Sequence, residues 1–229
     1  MNIGITCYPT YGGSGAVAAE LGMELAKRGN NVHFISYEIP FRLNYFNKKI
    51  FFHEVETLDY PLFKYPPYSF SLCVKMAEIA ETEKLDILHV HYAVPHAASA
   101  YLAQRIIGED KFKFVTTLHG TDITLVGKHA SFYKGTKFVI ENSNGVTCVS
   151  KYLKEATQKI FKIEREMRVV YNFVDTEKYK RADGNKRNLE FIEKDDKVII
   201  HISNFRPVKK MDNVIKIFYR IAKEVRSKL

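Results

Sequence analysis

Tryptophan is absent from this 229-residue chain, cysteine occurs three times, and no segment reaches the roughly twenty consecutive apolar residues of a membrane-spanning helix. The missing apolar run argues against a membrane span. Met1-Asn-Ile-Gly-Ile-Thr-Cys7 has no basic start followed by an apolar stretch, so no export signal is read there. Cys7, Cys73 and Cys148 are too scattered for metal-ligand spacing and sit in apolar runs, where free thiols act as small core residues. That usage fits a reducing compartment and gives a cytoplasmic location as the expectation. Acidic residues are also in short supply: 26 Asp and Glu face 35 Lys and Arg, for a net charge of +9. Such a surplus suits an anionic ligand, a nucleic acid or a membrane surface without choosing among them. The densest basic stretch, residues 178–197, mixes in acids and lacks interleaved aromatics, which argues against nucleic acid and favours a small anionic substrate.

What the chain does have is alternation. Short Val/Ile/Phe-rich runs alternate with helical patterns, the sign of βαβ units and a mostly parallel, doubly wound α/β sheet of Rossmann type. Strands are predicted at Asn2–Cys7, Asn31–Ser36, Phe51–Thr57, Ile87–His91, Phe114–Leu118, Gly145–Val149 and Met167–Val170. Helices are predicted at Ala16–Arg28 with a glycine stop at Gly29, and at Ser69–Lys84, Pro95–Ile107, Phe132–Asn142 and Lys151–Phe161, the last capped by Ser150. Pro40–Lys49 and Leu58–Pro67 read as loops, and their aromatics leave a homo-oligomer open. The charged segment 176–195 reads as a linker after an N-terminal domain of residues 1–175. Lys197–Ser203 then reads as a new buried strand and Arg206-Pro-Val-Lys-Lys210 as a cationic loop opening a helix, so residues 196–229 are expected to begin a second α/β domain.

Four places can carry chemistry. Tyr11-Gly-Gly-Ser-Gly15 follows the first strand and opens the first helix, where glycines admit a ligand close to the backbone and helix N–H groups face it. Its spacing departs from G-x-G-x-x-G and no acidic ribose partner ends the second strand, so a nicotinamide oxidoreductase is disfavoured. His89-Val-His91-Tyr92 ends the fourth strand with both histidines on one face and Tyr92 at the carboxyl edge, and no carboxylate or cysteine completes a zinc set there. Leu118-His-Gly-Thr-Asp122 ends the fifth strand. His119 can orient a hydroxyl or donate to developing charge, and Asp122 can fix its tautomer or bind nearby backbone. Arg206, Lys209 and Lys210 can neutralise a diphosphate. Each has a plain alternative: a tight turn, a core histidine, a solvated loop, a charged surface.

Taken in order, these segments, with Val149-Ser-Lys151, Val170-Tyr-Asn-Phe-Val-Asp175 and Ser203-Asn-Phe-Arg-Pro-Val-Lys-Lys210, resemble glycosyltransferase family 4, whose enzymes have the two-domain GT-B fold. Within that family, Cys7–Val17 and Tyr92–Ala97 look like enzymes that move N-acetylglucosamine from UDP-N-acetylglucosamine to the hydroxyl of L-malate, the first step of bacillithiol biosynthesis. The resemblance implies a retaining transfer with no cofactor and no required metal. It implies Gly13 and Ser14 near the donor phosphates, Arg206 with Lys209 or Lys210 on the diphosphate, and His119 with Asp122 as the catalytic pair. Ser14, Tyr92, Gly120, Thr121 and Lys151 are implied around the acceptor. Another acceptor, or a non-catalytic module that binds an anion, stays open beside this reading.

In the family, an acidic E-x7-E segment and the uridine and ribose contacts belong to a part of the second domain that these residues do not include. The expected outcome is that residues 1–229 alone show no glycosyl transfer; measurable turnover of UDP-N-acetylglucosamine by them would count against this.

Overall fold

The computed structural model describes residues 1–43, 47–180, 192–193, 195–203 and 205–229. Parts of the expected loop Pro40–Lys49 (44–46) and of the expected linker (181–191 and 194), and Asn204 just before the cationic loop, lie outside the described residues. The chain divides into two compact units, Met1–Phe173 and Val174–Leu229.

In the first unit the short β-branched runs become seven strands: β1 (Asn2–Thr6), β2 (Asn31–Ser36), β3 (Ile50–Glu54), β4 (Ile87–His91), β5 (Lys113–Leu118), β6 (Gly145–Cys148) and β7 (Arg168–Val169). They form one sheet in the order β3-β2-β1-β4-β5-β6-β7, and every pair is parallel. Register follows the apolar pattern, with Ile3 opposite Ile87, Ile5 opposite both Phe34 and His89, and Leu118 opposite Cys148. The helices are α1 (Gly13–Lys27), α2 (Tyr68–Thr82), α3 (Ala98–Ile107), α4 (Ala130–Asn142) and α5 (Lys151–Phe161).

Chain direction decides the faces. The β1-α1-β2 crossover steps one way across the sheet and the helical crossovers from β3 onward step the other way, and right-handed connections then put α1 on one face and α2–α5 on the opposite face. The buried side chains sort accordingly. Ile3, Ile5, Val32 and Phe34 pack with Ala18 and Ala26 of α1, and Leu88, Val90, Phe114, Leu118 and Cys148 pack with Leu72, Ala100, Val139 and Leu153 of the other helices. The reversal in strand order falls between β1 and β4, where open α/β sheets form a crevice at the strands' carboxyl ends. On the α1 face, Ile87, Val115 and Val149 wall a groove of about 440 Å³ over His89, His91, Thr117 and Thr147.

Differences from the sequence reading lie at the ends of elements. Helix α1 starts at Gly13, three residues earlier than expected, because Gly12 takes the extended cap conformation and its carbonyl accepts the Ala16 N–H at 3.0 Å. Ser150 caps α5 as expected, its hydroxyl accepting the Leu153 N–H at 3.1 Å. Asp122–Gly127, to which the sequence assigns no element beyond Asp122 itself, forms a helical turn.

The second unit corrects one expectation more sharply. Lys197–Ser203 is not a buried strand: only Lys197–Val198 (β8) is extended, paired in parallel with Ser227–Lys228 (β9), and Ile200 and Ile202 are 75% and 90% exposed. Among the described residues of this unit no further strand flanks it, and a parallel strand is held by neighbours on both edges and by covered faces. The cationic loop does open a helix, through a 3-10 turn at Pro207–Lys209 into α6 (Met211–Ala222).

A row of small residues lets α1 lie against the sheet. A Cβ built on Gly22 would stand 2.3 Å from Cζ of the fully buried Phe34. Overpacking of this kind costs about 1–3 kcal/mol against at most ~1 kcal/mol of helix propensity gained. Gly22→Ala is therefore expected to destabilise the fold, read as a lower urea midpoint of unfolding.

Candidate active site

The polar residues at the β1/β4 switch are assembled by three consecutive strand ends. Beyond β1 the chain runs over the start of α1 so closely that a Cβ on Gly15 would stand 2.4 Å from the Tyr8 carbonyl oxygen. Glycine at 15 is thus required by the packing of the loop itself. Gly13 is different: nothing lies within 4 Å of the position its Cβ would take, and its backbone needs no glycine. With no side chain capping α1, the N–H groups of its first turn are left for another acceptor, and Gly13 and Ser14 belong to that turn.

Beyond β4, Tyr92 adopts φ 96°, a left-handed conformation rare for a residue with a side chain. Four contacts hold it there. Its N–H donates to the Thr117 carbonyl at 3.0 Å, its hydroxyl meets Thr121 Oγ1 at 2.6 Å, and its ring lies 5.2 Å from Tyr8 and 5.8 Å from His119. Tyr8 thereby links the glycine loop to the β4 and β5 loops. Burial, with the neighbouring Tyr92 hydroxyl second, pushes the Tyr8 phenol up to about 12.

Beyond β5, Gly120 turns at φ 121° and Asp122 folds back underneath. Its carboxylate, 2% exposed, accepts the N–H groups of Gly120 at 2.7 Å, His119 at 3.1 Å and Ala93 at 3.4 Å. Of the two roles the sequence left open for Asp122, this is the backbone one. Burial raises its pKa to about 6, and the three N–H donors pull the other way.

The partner of the His119 ring is His91, whose Nδ1 lies 2.9 Å from His119 Nε2. His91 also stacks on His89 at 4.6 Å, and His89 Nε2 meets Thr117 Oγ1, which in turn meets Thr147 Oγ1, both at 2.7 Å. His96 gives its Nδ1 proton to the His91 carbonyl. These imidazoles are stacked and chained, and among the described residues no three His, Cys, Asp or Glu side chains converge as metal ligands do. Burial lowers His89, His96 and His119 to about 4, and burial together with the neighbouring imidazoles holds His91 well below its ordinary value.

The structure thus brings together Tyr92, His119, Gly120, Thr121 and Asp122, and places Gly13 and Ser14 one strand away. Lys151 is exposed at the start of α5, at the carboxyl end of β6 and separated from β4 by β5. In the second unit Arg206, Lys209 and Lys210 are exposed around the short turn before α6, with Lys210 left-handed at φ 48°. Sequence reasoning passed over Tyr8 and His96. Tyr8 carried a signal in lying between the first strand and the glycine loop; His96, read as part of a helix, carried none.

Residues 11–178 match the profile of Glycosyltransferase Family 4. The chain belongs to that family. It is 50% identical over its whole length to N-acetyl-alpha-D-glucosaminyl L-malate synthase of Bacillus anthracis, and it spans 60% of that curated relative. Among solved structures, a glycosyltransferase of Rickettsia africae superposes with a TM-score of 0.54 at 20% identity, covering 77% of this chain and 44% of the other. A lipopolysaccharide outer core galactosyltransferase superposes with a TM-score of 0.51 at 14% identity, covering 76% of this chain and 46% of the other. At those identities the structural likeness shows the fold, which is the Rossmann-like α/β arrangement of GT-B glycosyltransferases.

The buried imidazoles tie stability to pH. His89, His91, His96 and His119 are neutral when folded and take up protons on unfolding below about 6.5, so their contribution is intact above that pH and is lost as pH falls toward 4. His33 and His53, also lowered by burial, act in the same direction. Asp122 opposes them, since its raised pKa makes the folded state lose stability as pH rises from 3.8 to about 6. The histidines outnumber it. Unfolding temperature followed by circular dichroism is expected to fall steadily between pH 6.5 and 4; a flat profile would contradict the buried neutral cluster.

Proposed function

We propose that the protein to which these residues belong is a retaining, UDP-sugar-dependent glycosyltransferase that moves N-acetylglucosamine from UDP-N-acetylglucosamine to the hydroxyl of L-malate. The observation that carries this reading is the 50% identity, across the whole of this chain, to an enzyme named for that product. Family membership supports the reaction class. The assembled loops at β1, β4 and β5 supply chemistry that suits it.

In this reading the first-turn N–H groups of Gly13 and Ser14 receive anionic oxygen, and the open space at Gly13 lets a ligand approach the backbone. Tyr92, His119, Gly120 and Thr121 surround the acceptor and the reacting sugar. Asp122 acts by holding the backbone of His119 and Gly120 in place. Lys151 is assigned to an acceptor carboxylate, and Arg206 with Lys209 or Lys210 to the diphosphate. As the anomeric bond breaks, negative charge gathers on that leaving group, and fixed cations lower the barrier without calling on a metal. The hydroxyl attacks the face the leaving group departs from, and the departing phosphate takes its proton. His119, neutral by burial, positions the hydroxyl and does not deprotonate it.

The test is to join residues 1–229 to the remaining C-terminal part of the Bacillus anthracis relative, incubate with UDP-N-acetylglucosamine and separate candidate acceptors, and weigh the products. N-acetylglucosaminyl malate is the expected product, and preference for a different acceptor would overturn the malate assignment. In the same protein Arg206→Ala is expected to lower kcat by about 10²–10³-fold. Gly13→Ala is expected to weaken donor binding while leaving the unfolding temperature unchanged, because its methyl group meets open space.

A further inference from the structure

His119 Nε2 and His91 Nδ1 are 2.9 Å apart, and burial keeps both rings neutral. A neutral imidazole carries one proton, so one of these nitrogens donates and the other accepts. The direction is decided by the far side of His91. Its Nε2 is buried and has no hydrogen-bond partner among the described residues. If His119 donated, the His91 proton would sit on that Nε2 as a buried N–H with nothing to bind, and orphaned buried N–H groups are rare and costly. If His91 donates from Nδ1, its Nε2 is left as a bare lone pair.

The same choice is made one turn away with no ambiguity. A carbonyl oxygen only accepts, so His96 Nδ1 must carry the proton it shares with the His91 carbonyl. The buried Nε2 of His96 is then a bare ring nitrogen without a partner. This cluster already tolerates that arrangement.

We propose that His91 is a positioning residue that donates its Nδ1 proton to His119 Nε2 and thereby locks His119 in the Nδ1–H tautomer. In that tautomer both ring nitrogens of His119 are committed, one as an acceptor from His91 and the other as an N–H donor. His119 has no lone pair left to take a proton from a hydroxyl. It is a fixed donor, suited to an electron-rich oxygen such as an acceptor carboxylate or a sugar hydroxyl. The use of that donor rests on the proposed function; the tautomer does not. The surrounding contacts keep the ring from rotating out of register, because Tyr92 stacks on His119 and His89 stacks on His91.

Long-range ¹H–¹⁵N correlation spectra of the 229-residue chain, with its histidines ¹⁵N-labelled, read each tautomer directly at neutral pH. The expected spectrum has His119 and His91 both protonated on Nδ1; protonation of His119 on Nε2 overturns the proposal. His91→Phe, which fills the space without a donor, is expected to release His119 into a mixture of tautomers. His91→Asn, whose side-chain amide can place an N–H near the former Nδ1, is expected to restore the single Nδ1–H form. A His119 that stays locked in His91→Phe would show that His91 is not the lock. Should His91→Phe fail to fold, the wild-type spectrum alone still decides the direction of the bond. None of these outcomes depends on glycosyl transfer, so the tautomer assignment and the assigned reaction fail separately.

Discussion

A single buried carboxylate ties together the two strand ends on which the site depends. Asp122 gathers N–H groups from Ala93, just past β4, and from His119 and Gly120, just past β5. Two neighbouring parallel strands would otherwise send their connections apart, each into its own crossover. With the carboxylate between them, the Tyr92 ring and the His119 ring are held side by side. Desolvation of the carboxylate is costly, and the three donors offset that cost only while both loops keep this conformation. The loops therefore specify one another.

Around that knot the site is built in layers. Gly15 lets the β1 loop press on α1, Tyr8 carries that position across to Tyr92, and Tyr92 passes it to His119. Behind His119 stands a row of imidazoles and threonine hydroxyls whose bonds run through His91, and through His89 to Thr117 and Thr147. Neutral imidazoles suit this place, because they bond on one edge and stack on their faces without bringing charge into the sheet. The loops beyond β4 and β5 are thus supported from beneath by a chain of polar groups that bond chiefly to one another.

How much of this the sequence disclosed varies with the physics of each part. Hydrophobic period and turn residues located β2, β4 and α5 to the residue, since a buried strand and a serine-capped helix leave local marks. The start of α1 was placed late, because glycines carry no helical signal even where the backbone is helical. The Leu118–Asp122 loop was legible as a polar cluster after a strand. Its internal wiring was not, because the His91–His119 bond joins residues 28 apart whose pairing depends on strand order. Lys197–Ser203 shows the reverse failure: its apolar run has the composition of a core strand, but burial is conferred by neighbours, and the second unit's described residues give it only β9 along one edge.

Position 92 shows where durability and purpose pull apart. A positive φ of this kind at a residue with a side chain costs on the order of 1–3 kcal/mol, and glycine would adopt it freely. Glycine would also remove the aromatic plate on which His119 rests and the hydroxyl that meets Thr121. Tyrosine at this corner therefore carries a standing backbone handicap, offset by the contacts through which it joins the β1, β4 and β5 loops.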